Sequence, residues 1–115
     1  MTEKELQEVL MELSVLTNGQ PHISEFLVEL NEASVHNPKA VQSMVSDLRL
    51  WGGMGSVADQ AGMDLPPEKQ QRVHELLIRL YELLEHQGIT DARGASWVET
   101  FRHWRNLRLP EVRSS

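Results

Sequence analysis

Apolar side chains recur at intervals of three and four residues along most of this chain, and no stretch alternates apolar with polar for the length of a strand. The fullest case is Val73, Leu76, Leu77, Leu80, Leu83 and Leu84. At 3.6 residues per turn these positions fall on one side of a helix. Leu6, Val9, Leu10, Leu13 and Leu16 repeat the pattern, as do Ile23, Phe26, Leu27 and Leu30. Each stripe has the width of a helix half-buried against a shared core. None holds a strict heptad over several repeats, which disfavours a long coiled coil. The pattern predicts an all-α fold.

Start and stop signals divide the chain into helices. Thr2 with Glu5 three residues on has the form of a capping box, predicting a helix over about residues 3–17 that stops at Gly19. A second is expected from Ile23 to Val35. Asn37-Pro38 pairs an N-cap residue with proline at the first helical position. It opens a third helix that carries Val41, Met44, Val45, Leu48 and Trp51 inward and ends at Gly52-Gly53. Residues 52–66 hold four of the seven glycines and read as a loop, in which Ser56 can cap one turn through Val57, Ala58 and Asp59. Pro66-Pro67 opens the longest predicted helix, which ends before Gly88. Thr90 or Asp91 is a candidate cap for a short turn before a last helix over about Ala95–Leu107. This helix carries Trp97, Phe101 and Trp104 on one side. Pro110 is expected to end the order, with residues 109–115 frayed. The result is a single domain over residues 1–115. It is a compact bundle of four to five helices, with a glycine-rich loop between helices three and four.

Composition narrows the function classes. The absence of cysteine excludes a disulfide scaffold, a thiol nucleophile and a thiolate metal site. No apolar run approaches the ~20 residues of a membrane span, and the acidic, amphipathic start is unlike a signal peptide. A cytoplasmic protein is the expectation. The net charge of −6 is concentrated in the first half. Residues 1–60 carry nine acids and three bases, whereas residues 61–115 carry eight of each. Such a chain repels phosphate backbones, which weighs against nucleic acid and toward a basic protein partner.

Two places stand out as candidate sites. Glu5, Glu8 and Glu12 line one side of the first helix, and Glu25, Glu29 and Glu32 line one side of the second. Like charges at this spacing weaken an isolated helix, and a basic partner would relieve that and be steered by the field. The plain alternative is a pair of solvated outer faces. The other place is Trp51-Gly52-Gly53-Met54-Gly55-Ser56-Val57. Gly52, Gly53 and Gly55 permit backbone conformations that turn N–H groups outward, and with Ser56 they can cradle an anion. Alternatively, the loop simply terminates a helix and packs Trp51. Gly53-x-Gly55-x-x-Ala58 matches a dinucleotide fingerprint in letters only, because a helix precedes it where that fingerprint needs a strand. The Gly-Gly-Met-Gly-Ser segment following Trp51 resembles that of a family of small, uncharacterised bacterial helical proteins. The likeness spans about residues 40–60. It implies a bacterial origin and a helical fold, and it brings no catalytic residue with it.

The remaining residues carry less. His22, His36, His74, His86 and His103 have no metal-ligand spacing, and Glu82 with His86 reads as a surface pair. Arg93, Arg102, Arg105, Arg108 and Arg113 alternate with aromatics as on a core helix with a basic outer face. They can pair with the acidic first half. No nucleophile motif is present, since Gly-Met-Gly-Ser-Val lacks the elbow spacing, and nothing implies a cofactor or metal. The expectation is a small acidic protein that binds and neutralises a basic partner, in the manner of an immunity protein against a toxin. The alternatives are a small anionic-ligand binder or enzyme using residues 52–56, or a homodimer or larger homo-oligomer joined through an exposed Trp51 or Trp104.

Overall fold

The computed structural model describes the backbone of residues 2–114 and the side chains of residues 4–47 and 49–107. Within them every regular element is helical. α1 (Thr2–Leu16) and α2 (Pro21–His36) form a hairpin, and α6 (Pro67–His86) and α7 (Ala92–Ser114) form another. Between them run α3 (Pro38–Ser46) and two single turns, α4 (Leu48–Trp51) and α5 (Val57–Gln60). α1 packs between α2 and α6, α6 packs on α7, and α3 covers α2. α4 touches both α3 and α7, which closes the helices into a ring around one core. The radius of gyration, 13.9 Å, is near the roughly 13 Å expected of a compact domain this long.

The stripes form that core. Leu6, Leu10, Leu13, Phe26, Leu27, Leu30, Leu77 and Leu80 are all buried, joined by Val98 and Phe101 from α7. Several signals act where they stand. Gly88 takes φ +80°, and the N–H groups of Gly88 and Ile89 donate to the carbonyls of Glu85 and Leu84 at 2.9 Å each. A left-handed glycine closing the last turn in this way ends α6. Pro38 occupies the first turn of α3, but Asn37 makes no side-chain cap bond. Its N–H closes α2 on Ala33 O at 2.8 Å. One residue serves both as the stop of α2 and the start of α3, and the stop sets its geometry. The capping box at Thr2 rests on a side chain outside the described ones. Pro110 does not end the last helix, whose backbone stays helical to Ser114, so the expected end of order at Pro110 is corrected.

Three further expectations are corrected. The third helix is not continuous to Trp51. Asp47 breaks it in extended backbone (φ −70°, ψ 145°), and its carboxylate takes the N–H of Arg49 at 2.9 Å to start a new turn. The break shifts the helical phase, so the adjacent residues Leu50 and Trp51 are both buried. No single uninterrupted stripe could have buried them with Val41 and Val45. The last helix begins at Ala92 rather than near Ala95. Asp91 caps this helix itself, accepting the N–H groups of Arg93 (2.9 Å) and Gly94 (3.2 Å). By its bounds α7 has 23 residues against 20 for α6, so the Pro67 helix is not the longest.

Candidate functional site

The six glutamates divide by what they touch. Glu12 receives two hydrogen bonds from the Arg72 guanidinium, at 2.7 and 2.8 Å. Glu5 receives one from Arg79 at 2.6 Å. Both acids belong to α1 and both arginines to α6. Glu5 and Glu12 lie seven residues apart, as do Arg72 and Arg79, so the pairs form in register when the helices run antiparallel. Arg79 also reaches Glu82 (3.4 Å), and Glu82 holds Arg102 of α7 (2.8 Å). A string of alternating charge therefore crosses three helices. The Arg72 hydrogen bond holds the Glu12 carboxyl below its ordinary range, and the glutamates raise both arginines. A groove of about 250 Å³ follows this seam, lined also by Glu8 and by Glu75, which faces Arg72 at 3.8 Å.

On α2, Glu29 faces Arg49 at 3.8 Å, and Arg49 lies over the Phe26 ring at 4.6 Å. Glu5 and Glu12 thus turn toward α6, while Glu29 turns toward α4. The paired members of the two rows therefore have different partners. Glu8, Glu25 and Glu32 make no ion pair among the described residues. Sequence reasoning missed Arg72 and Arg79 as partners of this face. The matching seven-residue intervals were the available signal, and they become readable only once α1 and α6 are known to be neighbours.

The glycine loop keeps its donors for itself. Gly53 and Gly55 take φ +106° and +83°, whereas Gly52 has no positive φ. The buried Ser56 hydroxyl accepts the N–H groups of Gly53 and Asp59, each at 3.3 Å, and caps α5 as the sequence suggested. The Asp59 carboxylate accepts the Gly55 N–H at 3.0 Å. The place an anion would take is held by the chain's own carboxylate. Gln20 pins this region to the first hairpin: its amide donates to Gln60 O (2.7 Å) and accepts from Gly62 N–H (2.8 Å). No group of three or more acidic or histidine side chains suited to a metal occurs among the described residues. His74 stacks on Phe101 with ring centroids 4.6 Å apart. Trp51 is buried, so only Trp104, 39% exposed, remains of the two tryptophans proposed for an interface.

The first hairpin carries apolar surface that faces outward. Met11 and Val15 on α1 are 56% and 63% exposed, and Val28 and Val35 on α2 are 46% and 48% exposed. Helical phase relates them. The Glu5 and Glu12 side of α1 meets α6, so the opposite side, with half-buried Gln7 and Ser14, meets α2. On α2, the Glu29 side meets α4, leaving half-buried Ser24 and Asn31 toward α1. Met11 lies one step outward from this seam on α1, and Val28 and Val35 lie one step outward on α2. A shallow depression of about 360 Å³, lined by Lys4, Gln7, Glu8 and Met11, opens on the α1 side. No helix among the described residues is long and apolar enough to cross a membrane. No known family model, curated protein or solved structure matches the chain.

Proposed function

We propose that this protein binds another protein through the outer face of the α1–α2 hairpin, and that the partner is basic. A small acidic protein that neutralises or regulates its target, as an immunity protein does a toxin, is the form this reading takes. One observation carries it: Glu8, Glu25 and Glu32, which make no ion pair among the described residues, lie three residues before exposed Met11, Val28 and Val35 on the same helices, and Glu8 shares a depression with Met11. An apolar centre with a charged rim is the anatomy of a protein–protein contact, and uncompensated acids speed encounter with a basic surface. The glycine loop has less in its favour as an anion site, because Ser56 and Asp59 already take its N–H groups.

The test is capture of partners from a cell lysate at low and moderate salt. The wild type should retain one basic protein in a stoichiometric, salt-sensitive complex. Glu8→Lys with Glu25→Lys and Glu32→Lys should lose it, while Glu5→Gln with Glu12→Gln should keep it. Retention of the same partner by the triple lysine variant would overturn the reading.

A further inference from the structure

We infer that the segment received by this face is a single amphipathic α-helix, with an apolar stripe flanked on both sides by lysine or arginine, lying along the α1–α2 seam. The inference rests on the protein-binding reading above and specifies its partner. The described surface of the hairpin is made of helices whose backbone groups bond within each helix, so it offers no strand edge for an extended peptide to join. Recognition falls to side chains, and an apolar seam between two helices receives the apolar face of a third. Leu6, Leu10 and Leu13 of α1 and Ile23, Leu27 and Leu30 of α2 belong to one buried core. Met11 on α1 and Val28 and Val35 on α2 lie beside the seam, and Val15 lies one turn beyond Met11 on the outer face of α1. Val28 to Val35 alone covers about 10 Å at 1.5 Å per residue, two turns of a helix laid beside them.

Charge selects the occupant. Glu8 and Lys4 line the depression with Met11 on α1, and on α2 Glu25 and Glu32 stand one turn before Val28 and Val35. A second copy of this chain would bring the same acidic rims together, and like charges in contact disfavour that pairing. Nucleic acid and anionic lipid are repelled by the same rim. A helix with basic flanks matches both the apolar centre and the acidic edges.

The experiment titrates the full chain with three synthetic helical peptides of about four turns. One has a leucine stripe and lysine flanks, the second keeps the stripe but has glutamate flanks, and the third scrambles the first. Binding is followed by calorimetry and by backbone amide shifts. The lysine-flanked peptide should bind saturably and shift the amides around Met11, Val15, Val28 and Val35. The other two should bind at least about tenfold more weakly. Met11→Ser with Val28→Ser should weaken the first peptide about tenfold with little change in its salt dependence. Glu8→Gln with Glu25→Gln and Glu32→Gln should weaken it similarly and flatten its salt dependence. These side chains are exposed, so circular dichroism should show the fold intact. Equal binding of the scrambled peptide, shifts confined to α6 and α7, or a stable dimer dissolved by Val28→Ser would each overturn the inference. If no peptide binds but the captured partner still depends on Glu8, Glu25 and Glu32, the helix falls and the protein-binding reading stands. If the partner's dependence is absent as well, both fall.

Discussion

Gly94 lies within α7, where alanine would ordinarily be better by roughly 0.5–1 kcal/mol. A Cβ at this position would stand 3.0 Å from the Trp51 indole, and Trp51 cannot easily yield. It is buried, set edge-on to Tyr81 with centroids 6.2 Å apart, and its carbonyl accepts the Trp97 indole N–H at 3.2 Å. Gly94→Ala should therefore destabilise the protein by about 1–2 kcal/mol in urea unfolding, despite its helix propensity. A raised midpoint would contradict this packing. Asp91, three residues before, is largely buried. Burial pushes its carboxyl up, but hydrogen bonds from the Arg93 side chain and the Gly94 and Arg93 N–H groups outweigh that and hold it below its ordinary 3.8. The carboxylate's contribution is then present above that ordinary value and is lost as pH falls through the lower folded value. Asp91→Ala should cost about 1 kcal/mol near neutral pH, and the gap from wild type should close in acid below 3.8. A gap that persists unchanged at pH 2 would mean the carboxylate's charge contributes nothing.

Among the elements, the link between α3 and α6 shows how local signals and packing combine. Ser56 and Gly55 are legible in the sequence as a cap and a turn residue, but their partners are not. Ser56→Ala leaves the Gly53 and Asp59 N–H groups without the oxygen that satisfies both. It should cost about 1–2 kcal/mol in thermal unfolding. Gly55→Val meets no neighbour within 4 Å, but φ +83° strains any β-branched residue, so a loss of about 1–3 kcal/mol is expected. A Gly55→Val protein as stable as wild type that also lost affinity for a small anion would revive the ligand-binding reading. Asp47 had a less visible effect. Only its extended backbone and its bond to Arg49 reveal that α3 ends there and that Leu50 joins Trp51 in the core.

At the scale of the molecule, the charge distribution has two parts. Much of the acidity of α1 is spent inside the fold, on Arg72 and Arg79. Because the Glu12–Arg72 pair is about half exposed, its worth is at most about 1 kcal/mol. Glu12→Arg alone should lower stability, and adding Arg72→Glu should recover most of the loss. A double-mutant cycle in urea measures this, and a coupling of zero at low salt would show that the pair contributes nothing to the α1–α6 contact. The acids that remain, Glu8, Glu25 and Glu32, are those proposed to meet a partner.

The order of residues alone dictates that the chain is helical, which apolar stripes of α1, α2 and α6 face the core, and where Pro67, Ser56 and Gly88 start or stop helices. These properties depend on neighbours within a turn or two, and the 3.6-residue period writes them into the order of residues. On α7 the period misplaced Trp104, which is exposed, and passed over buried Val98. It took the packing of the helices to set which arginines meet Glu5 and Glu12, that Glu29 turns to Arg49 instead, and that the Gly53 and Gly55 N–H groups are taken by Ser56 and Asp59. Packing also decided that Gly94 must stay small beneath Trp51, 43 residues earlier in the chain. Such contacts depend on which helix faces are brought together, and a helical stripe records that a face is buried but not what lies against it.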